Sequence, residues 1–488
     1  MKTTRTQNLL AATLVGVLAF ITTQAGAQTE PIGGQPAPGA KPSVKNLEDQ
    51  VAYQRAFEAV IWSQPAIGIY GLRRGMIEGL GMKDNEVMAM SGPLKMHHEV
   101  LTANNTVPYI SANADLRSGP VVLEIPAATA KGVLYGQVVD AWQDAVADVG
   151  PSGQDKGNGG KYLFLPPGYG GDVPSGYFVV PSTSYRIAFA FRSIKLAGAT
   201  DADANAYAKT LKMYPLSEAA NPKPTRFVDA IDQRLSTLPF YDWRYFEDLS
   251  AIVSVEPVRA RDKVMMGMLA SIGIEPGRPF NPSPKMKEIM TRAAVDAYFY
   301  MQDRFEKAQM KNLYWLERHW SYFFLPDPKG GFAWETETAL LYDNRSDTYH
   351  PATYFPQKLP AKPATVYLCG MADSQGRPLE AGKTYKLNVP KDVPVKQFWS
   401  LVVYDFATWA FIYSPLDRPG LSSYDKSNMK VNADGSVDLY IGPKAPEGLE
   451  SNWIPTQGKR PFPVVRLYGP DEAFWDKSFK MPDVELVK

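Results

Sequence analysis

A single cysteine, Cys369, is all the thiol chemistry available in 488 residues. That excludes an internal disulfide, and with no Cys-x-x-Cys pair it excludes a thiolate zinc site. Cys369 follows an apolar run at residues 365–368 with no His or charged neighbour, so it reads as a small buried hydrophobe. Histidine is nearly as scarce, with His97, His98, His319 and His350 the full set. No His-Glu-x-x-His occurs, and the adjacent His97 and His98 must point in different directions on any regular element, so no metal site is expected. Each histidine reads as a hydrogen-bonded structural residue. The absence of a Gly-x-Ser-x-Gly elbow disfavours an α/β-hydrolase serine. Charge of one sign is lacking too. Lys and Arg number 52 against 51 Asp and Glu, which gives no electrostatic footprint for nucleic acid. None of these features implies a cofactor.

Beyond the N-terminus there is no long apolar run, hence no integral membrane segment is expected in the mature chain. The N-terminus itself has Lys2 and Arg5, an apolar stretch at residues 9–21, and Ala25-Gly26-Ala27 followed by polar residues. Charge, short apolar core and small-residue site come in the order of a secretory signal peptide, residues 1–27, with cleavage expected after Ala27. The apolar stretch falls short of the about 20 residues that a membrane span needs. A periplasmic or secreted protein is therefore expected. Its mature part carries 50 basic against 51 acidic residues, and its stability rests on core burial alone.

Residues 28–45 begin Pro/Gly-rich and read as a flexible linker. Asn46 is a plausible helix cap, and the helix it opens should be interrupted by Pro65. A second, glycine-diluted helical stretch is expected at residues 66–80. From residue 107 to 192 short β-rich runs alternate with Pro/Gly turns, the punctuation of an antiparallel sheet structure. Helices are expected at residues 204–212, 226–235, 243–255 and 263–272. A long one should run from Ser283 to Lys311, with Ser283 as cap, Pro284 at its first position and a Met-rich apolar stripe facing the core. After residue 333 the chain turns to strands again. The fold class is α+β: two β-rich, sandwich- or jelly-roll-like domains with a helical segment between them. The boundaries are an N-terminal β-rich domain with leading helices at 46–225, a helical connecting region at 226–332 and a C-terminal β-sandwich at 333–488.

Polar chemistry concentrates in the first β-rich domain. The glycine-dense loop at residues 149–162 fails as a phosphate loop, because Asp155 stands where a glycine is needed and Lys161 is followed by Tyr162. It could still wrap a small ligand, or be a long hairpin loop. Asp140, Trp142, Asp144 and Asp148 set carboxylates beside an indole, as sugar-binding sites do and as solvated acids at an element's end also do.

Four of these segments carry a resemblance. Asn104-Asn105-Thr106-Val107-Pro108-Tyr109, residues 119–126, Asp140-Ala141-Trp142-Gln143 and residues 159–163 resemble the first domain of a bacterial exported family, domain of unknown function 1254. Residues 398–401, Tyr404-Asp405, residues 432–436, 451–454 and 466–470 resemble its usual companion, domain of unknown function 1214. The resemblance implies a β-sandwich-like C-terminal domain and an envelope or extracellular location, and it implies no reaction.

Two readings of function follow. In the first, the protein binds or hydrolyses a small polar ligand, sugar-like ones included, at a polar site in the N-terminal domain, since functional groups sit on loops held by a rigid scaffold. Asn104, Asn105, Thr106, Trp142, Lys161 and Tyr162 would line the site, Asp140 or Asp148 would be the acid/base group, and all three segments should converge on one cavity. In the second, the protein is a non-enzymatic envelope structural or adhesion module. It would bind glycans or a protein partner through a shallow aromatic strip that includes Trp399, Trp409, Trp453 and Trp475.

Overall fold

The computed structural model describes residues 39–196 and 198–487, together with Gly34 and Pro36. The signal peptide expected at residues 1–27 lies outside them, as does most of the linker up to residue 38. Two compact units divide the chain, residues 1–51 and 52–488. In the first, the Asn46 side chain accepts from the Asp49 N–H at 3.1 Å, the cap expected at the start of the helix Leu47–Arg74. The second unit holds everything described below.

Pro65 does not interrupt that helix, which runs unbroken for 28 residues with the proline inside. A mid-helix proline costs about 3 kcal/mol. Against this, Val60, Ile61, Trp62 and Ile67 are buried around it, each contributing about 1.5–3 kcal/mol. Gln143 Nε2 also donates to the Pro65 carbonyl at 2.8 Å. The expected second helical stretch is the continuation of the first, ending in a π turn at Gly75–Gly79. Two of its glycines mark a close approach: a Cβ on Gly71 or Gly75 would stand 2.2 Å from the Thr237 carbonyl oxygen or 2.6 Å from that of Ser236.

The first β sandwich pairs a six-stranded with a four-stranded sheet. The six-stranded sheet has the order Phe227–Val228, Val87–Pro93, Pro108–Asp115, Arg186–Lys195, Gly132–Asp140, Ala145–Val149. The other orders Lys212–Pro215, Val121–Ile125, Gly160–Leu165, Phe178–Pro181. Alternation does the packing: Ile110, Ala112, Leu134, Val138, Phe189 and Phe191 face Val121, Leu123, Tyr162 and Phe164 in one core. The intervening residues Tyr109, Ser111, Tyr135, Gln137, Ala190 and Arg192 must then point out of the opposite face.

The second sandwich is built the same way. Its five-stranded sheet orders Trp320–Tyr322, Thr365–Gly370, Pro461–Pro470, Val395–Asp405, Gly420–Ser422, and its four-stranded sheet orders Trp453–Pro455, Val437–Gly442, Tyr385–Val389, Glu485–Leu486. Val366, Leu368, Leu401, Val403, Val465 and Leu467 meet Leu387, Val389, Leu439 and Ile441 in its core. On the other face of the five-stranded sheet, Cys369, Val402, Tyr404 and Val464 pack with Leu72, Met88, Leu101 and Phe305. The outer faces of the two large sheets are thus turned toward a shared interior.

Helices Arg244–Val253, Lys263–Ala270 and Pro284–Lys311 pack with the first helix around Trp62, Tyr245, Phe246 and Met290. Ser283 caps the last of these, accepting from the Met286 N–H at 3.2 Å. Residues 226–235 are not the expected helix. Phe227–Val228 pairs in parallel with Val87 and Met88, and the Asp229 carboxylate accepts from the Ser91 and Ile231 N–H groups. Such a side chain-to-backbone bond competes with helix formation. No helix among the described residues is long and apolar enough to cross a membrane.

Candidate functional site

Asp140 ends its strand in a turn where Gln143 takes a left-handed backbone, φ 61°. Its Oδ1 accepts from the Trp142 and Asp144 N–H groups at 2.8 and 2.9 Å. Its Oδ2 accepts from the Thr183 hydroxyl at 2.9 Å and from the Arg259 guanidinium. Asp144 beside it takes Arg259 at 2.5 Å, Arg345 at 2.9 Å and Arg261 at 3.0 Å. Burial and Asp144 raise the Asp140 carboxyl above its ordinary value while Arg259 pulls it back. For Asp144, burial pushes up, but Arg345, Arg259 and Arg261 together outweigh it and hold the group at about 2. Trp142 packs on Trp62 with ring centroids 4.9 Å apart. The geometry is that of an ion network tying the turn to distant segments of the chain. No oxygen of Asp140 is left for a substrate.

The other expected residues fall elsewhere. Tyr162 lies in the first sandwich core, donating to Asp155 at 2.8 Å. Asp155 also accepts from the Gly150 and Gly157 N–H groups, so the glycine loop is closed on its own carboxylate. Lys161 pairs with Glu124 at 3.2 Å. Asn104 donates to the Tyr468 hydroxyl at 2.5 Å and accepts from the Thr106 N–H at 2.7 Å. Asn105 and Thr106 line a separate polar pocket of about 380 Å³.

The expected convergence on one cavity is therefore not found. Asp140 is level with Ile187, and Ile187 with Ala114, whereas Asn105 precedes the first residue of that strand, Pro108. At ~3.3 Å per residue, the level of Asp140 and the start of the strand lie roughly 20 Å apart along the sheet. The polar residues of this region cap separate turns.

What the shared interior does contain is a cavity of about 390 Å³. One wall is the outward face of the six-stranded sheet, where Tyr109, Arg192 and Tyr135 form one cross-strand row and Ser111, Ala190, Gln137 and Asp148 the next. The facing wall carries Tyr367 beside Arg466 on the five-stranded sheet. Leu72, Met88, Leu94, Phe323, Phe324 and Phe355 supply an apolar end.

Two guanidiniums dominate the polar end. Arg466 is buried, at 4% exposure, and one of its nitrogens donates to the Thr102 and Ala103 carbonyls and the Tyr404 hydroxyl. Its Nε and Nη1 have no partner. The Arg192 guanidinium makes no hydrogen bond or ion pair among the described residues, only a ring contact with Tyr109 at 5.8 Å. No carboxylate neutralises either group, and an Arg stays charged when buried. Asp148 is the one acid of the lining. Burial raises its carboxyl, against the pull of Gln137 and the Gln357 N–H. Thr102 and Tyr354, both in the lining, adopt φ of 39° and 62°. Left-handed backbone in a β-branched and an aromatic residue is uncommon and clusters at ligand sites.

Sequence reasoning missed Arg192 and Arg466. The signal is a lone Arg among apolar residues in each strand, as in Ala188-Phe189-Ala190-Phe191-Arg192 and Val464-Val465-Arg466-Leu467. Such an Arg needs an explanation once both sheet faces are covered. Asp148 alone of the expected residues reaches this cavity.

Fold and site together define an α+β protein of two packed β sandwiches enclosing an arginine-lined cavity. Residues 85–215 match the model for DUF1254 and residues 364–472 that for DUF1214, each described as a protein of unknown function. The chain thus carries a region matching DUF1254 followed by one matching DUF1214. Among solved structures, the VPA0106 protein from Vibrio parahaemolyticus is similar at 18% identity and TM-score 0.52, covering 90% of this chain and 100% of its own, so the two share a fold. A putative uncharacterized protein from Burkholderia cenocepacia aligns at 14% identity and TM-score 0.38, over 90% of this chain and 96% of that one. No curated protein matches the sequence.

Proposed function

We propose that this protein is an exported binding protein for a small organic anion with an apolar portion, held in the cavity between the two large sheets. The observation that carries this is the pair of guanidiniums, Arg192 and Arg466, lining one cavity without a carboxylate partner. A carboxylate, sulfonate or phosphate would accept from the free Nε and Nη1 of Arg466. The phenylalanine and leucine end would take the rest of the molecule, the usual division of a ligand pocket. The leader pattern of residues 1–27 supports export. The adhesion reading gains no support from Trp399 and Trp409, which are buried at 7% and 2% exposure.

Calorimetric titration with decanoate, and with decanol as the uncharged control, tests the proposal. Decanoate should bind and decanol should not compete. Arg466→Met should weaken decanoate roughly 30-fold or more, the equivalent of about 2 kcal/mol for a buried charge pair. Equal binding of acid and alcohol would sink the reading.

Asp148 gives a pH signature. Ionised, it opposes a bound anion across the cavity, and its raised carboxyl gains a proton above the ordinary carboxylate range. Affinity should therefore rise as pH falls through that titration. Decanesulfonate, ionised throughout, is the suitable probe. Asp148→Asn should bind it more tightly at neutral pH and show a flat profile. A slope of the same size in the variant would assign the effect to another group.

A further inference from the structure

We propose that the separate polar pocket beside the second sandwich binds a neutral polyhydroxylated ligand of the saccharide class. The pocket, about 380 Å³, is lined by Asn105 and Thr106 from the first domain's entry loop and by Ser400, Asp417, Ser422 and Tyr424 from the second sandwich, among others. Ser400 stands in register between Arg466 and Ser422. The polar row that serves the anion cavity at its Arg466 end therefore reaches this pocket at the other.

Two polar groups here are buried and unsatisfied. Ser400 is 1% exposed and its hydroxyl has no hydrogen-bond partner. The Asn105 side-chain carbonyl is likewise buried without one. A buried hydroxyl or amide without a partner is costly, and native structures retain one where a ligand or water completes it.

The remaining lining is rich in acceptors. Asp417 accepts from the Met96 N–H at 2.8 Å through one oxygen. Asp425 accepts from the Ser422 N–H and hydroxyl, both at 2.8 Å, also through one. The second oxygen of each makes no hydrogen bond among the described residues. Arg418 is the one cation of the lining, and its Nη1 donates to the Glu450 and Trp453 carbonyls at 2.5 and 3.2 Å. Two carboxylates against one guanidinium leave the lining net negative, which disfavours a second anion, whereas hydroxyl groups can donate to both carboxylates and to Asn105. Tyr424 completes the chemistry. The residue is 64% exposed, and its ring is backed by Phe398 at a centroid distance of 4.6 Å. It is a supported aromatic platform on which the C–H face of a sugar ring can lie.

The test is titration of the full chain with methyl α-glucoside, methyl α-mannoside and N-acetylglucosamine, followed by saturation-transfer NMR, with and without saturating decanoate. At least one sugar should bind saturably, and decanoate should not displace it. Tyr424→Ala, an exposed position, should weaken that sugar by roughly tenfold, the loss of a stacking anchor, while leaving decanoate binding unchanged. Ser400→Ala, which removes the hydroxyl without adding bulk, should act in the same direction. The proposal is overturned if no sugar binds saturably. It is overturned equally if Tyr424→Ala binds the sugar as the parent does, or if spermidine saturates the pocket and sugars do not.

Discussion

Replacing Asp140 with alanine is expected to lower the unfolding free energy by about 3–5 kcal/mol, the usual cost of stripping one partner from a buried ion pair. Asp140 is fully buried and accepts from two backbone N–H groups, the Thr183 hydroxyl and Arg259. Alanine leaves all four donors without that acceptor, and the Arg259 guanidinium, only 13% exposed, must share Asp144 with Arg261 and Arg345. Asp140→Asn keeps the shape but not the charge and sets an amide N–H against other donors, so it should cost nearly as much. Denaturant midpoints and melting temperature read the effect directly. Decanoate binding, measured where both variants are folded, should survive, because Asp140 does not line the cavity. Unchanged stability with lost binding would reverse this assignment and make Asp140 a ligand group.

Acid should destabilise the protein through His350 by a comparable amount. His350 is 1% exposed, and Tyr241 Oη lies 3.0 Å from its Nδ1. The rings of Trp409 and Tyr298 surround it, with centroids 5.5 and 5.9 Å away. Burial pulls its pKa down from 6.5 to about 3. The unfolded chain therefore takes up a proton below pH 6.5 that the folded chain refuses. The stability this group confers is full above pH 6.5 and is lost progressively as pH falls toward 3. At about 1.4 kcal/mol per unit, the whole window is worth on the order of 4–5 kcal/mol. Glu256 acts with the opposite sign. Burial lifts its carboxyl from 4.5 to about 7, so between those values the folded state holds the extra proton and gains stability on acidification. The decisive quantity is accordingly the difference between the parent and His350→Gln. That gap should shrink steadily from pH 7 to pH 4. Parallel curves across the range would refute the role given to His350.

Much of the fold was legible because it depends on local chemistry. Ser283 and Pro284 announce a helix start that needs nothing from the rest of the chain, and the alternation of Val121, Leu123 and Ile125 states which side of a strand faces a core. Pro65 misleads because its penalty is local while the compensation, Trp62 against Trp142 and Gln143 on the Pro65 carbonyl, comes from far along the chain. The site fails to show for a related reason. Alternation says that Arg192 and Arg466 point away from their own cores. It does not say that each outward face is roofed by the other sheet, which alone turns two surface-like arginines into a pair of charges lining one cavity. Asp140 and Trp142 were conspicuous for being polar and aromatic at a turn, and their partners Arg259, in a loop, and Arg345, on a helix, lie far along the chain with no spacing that announces them.

Arg192 belongs to the region spanning residues 85–215 and Arg466 to that spanning residues 364–472. Each region thus carries half of a charge pair whose halves have no use for each other until a ligand bridges them. On separate chains, every binding event would bear the entropic cost of bringing two subunits together. On one chain the second half-site is always present at high effective concentration. The joining of the two regions in a single polypeptide is then itself part of the affinity.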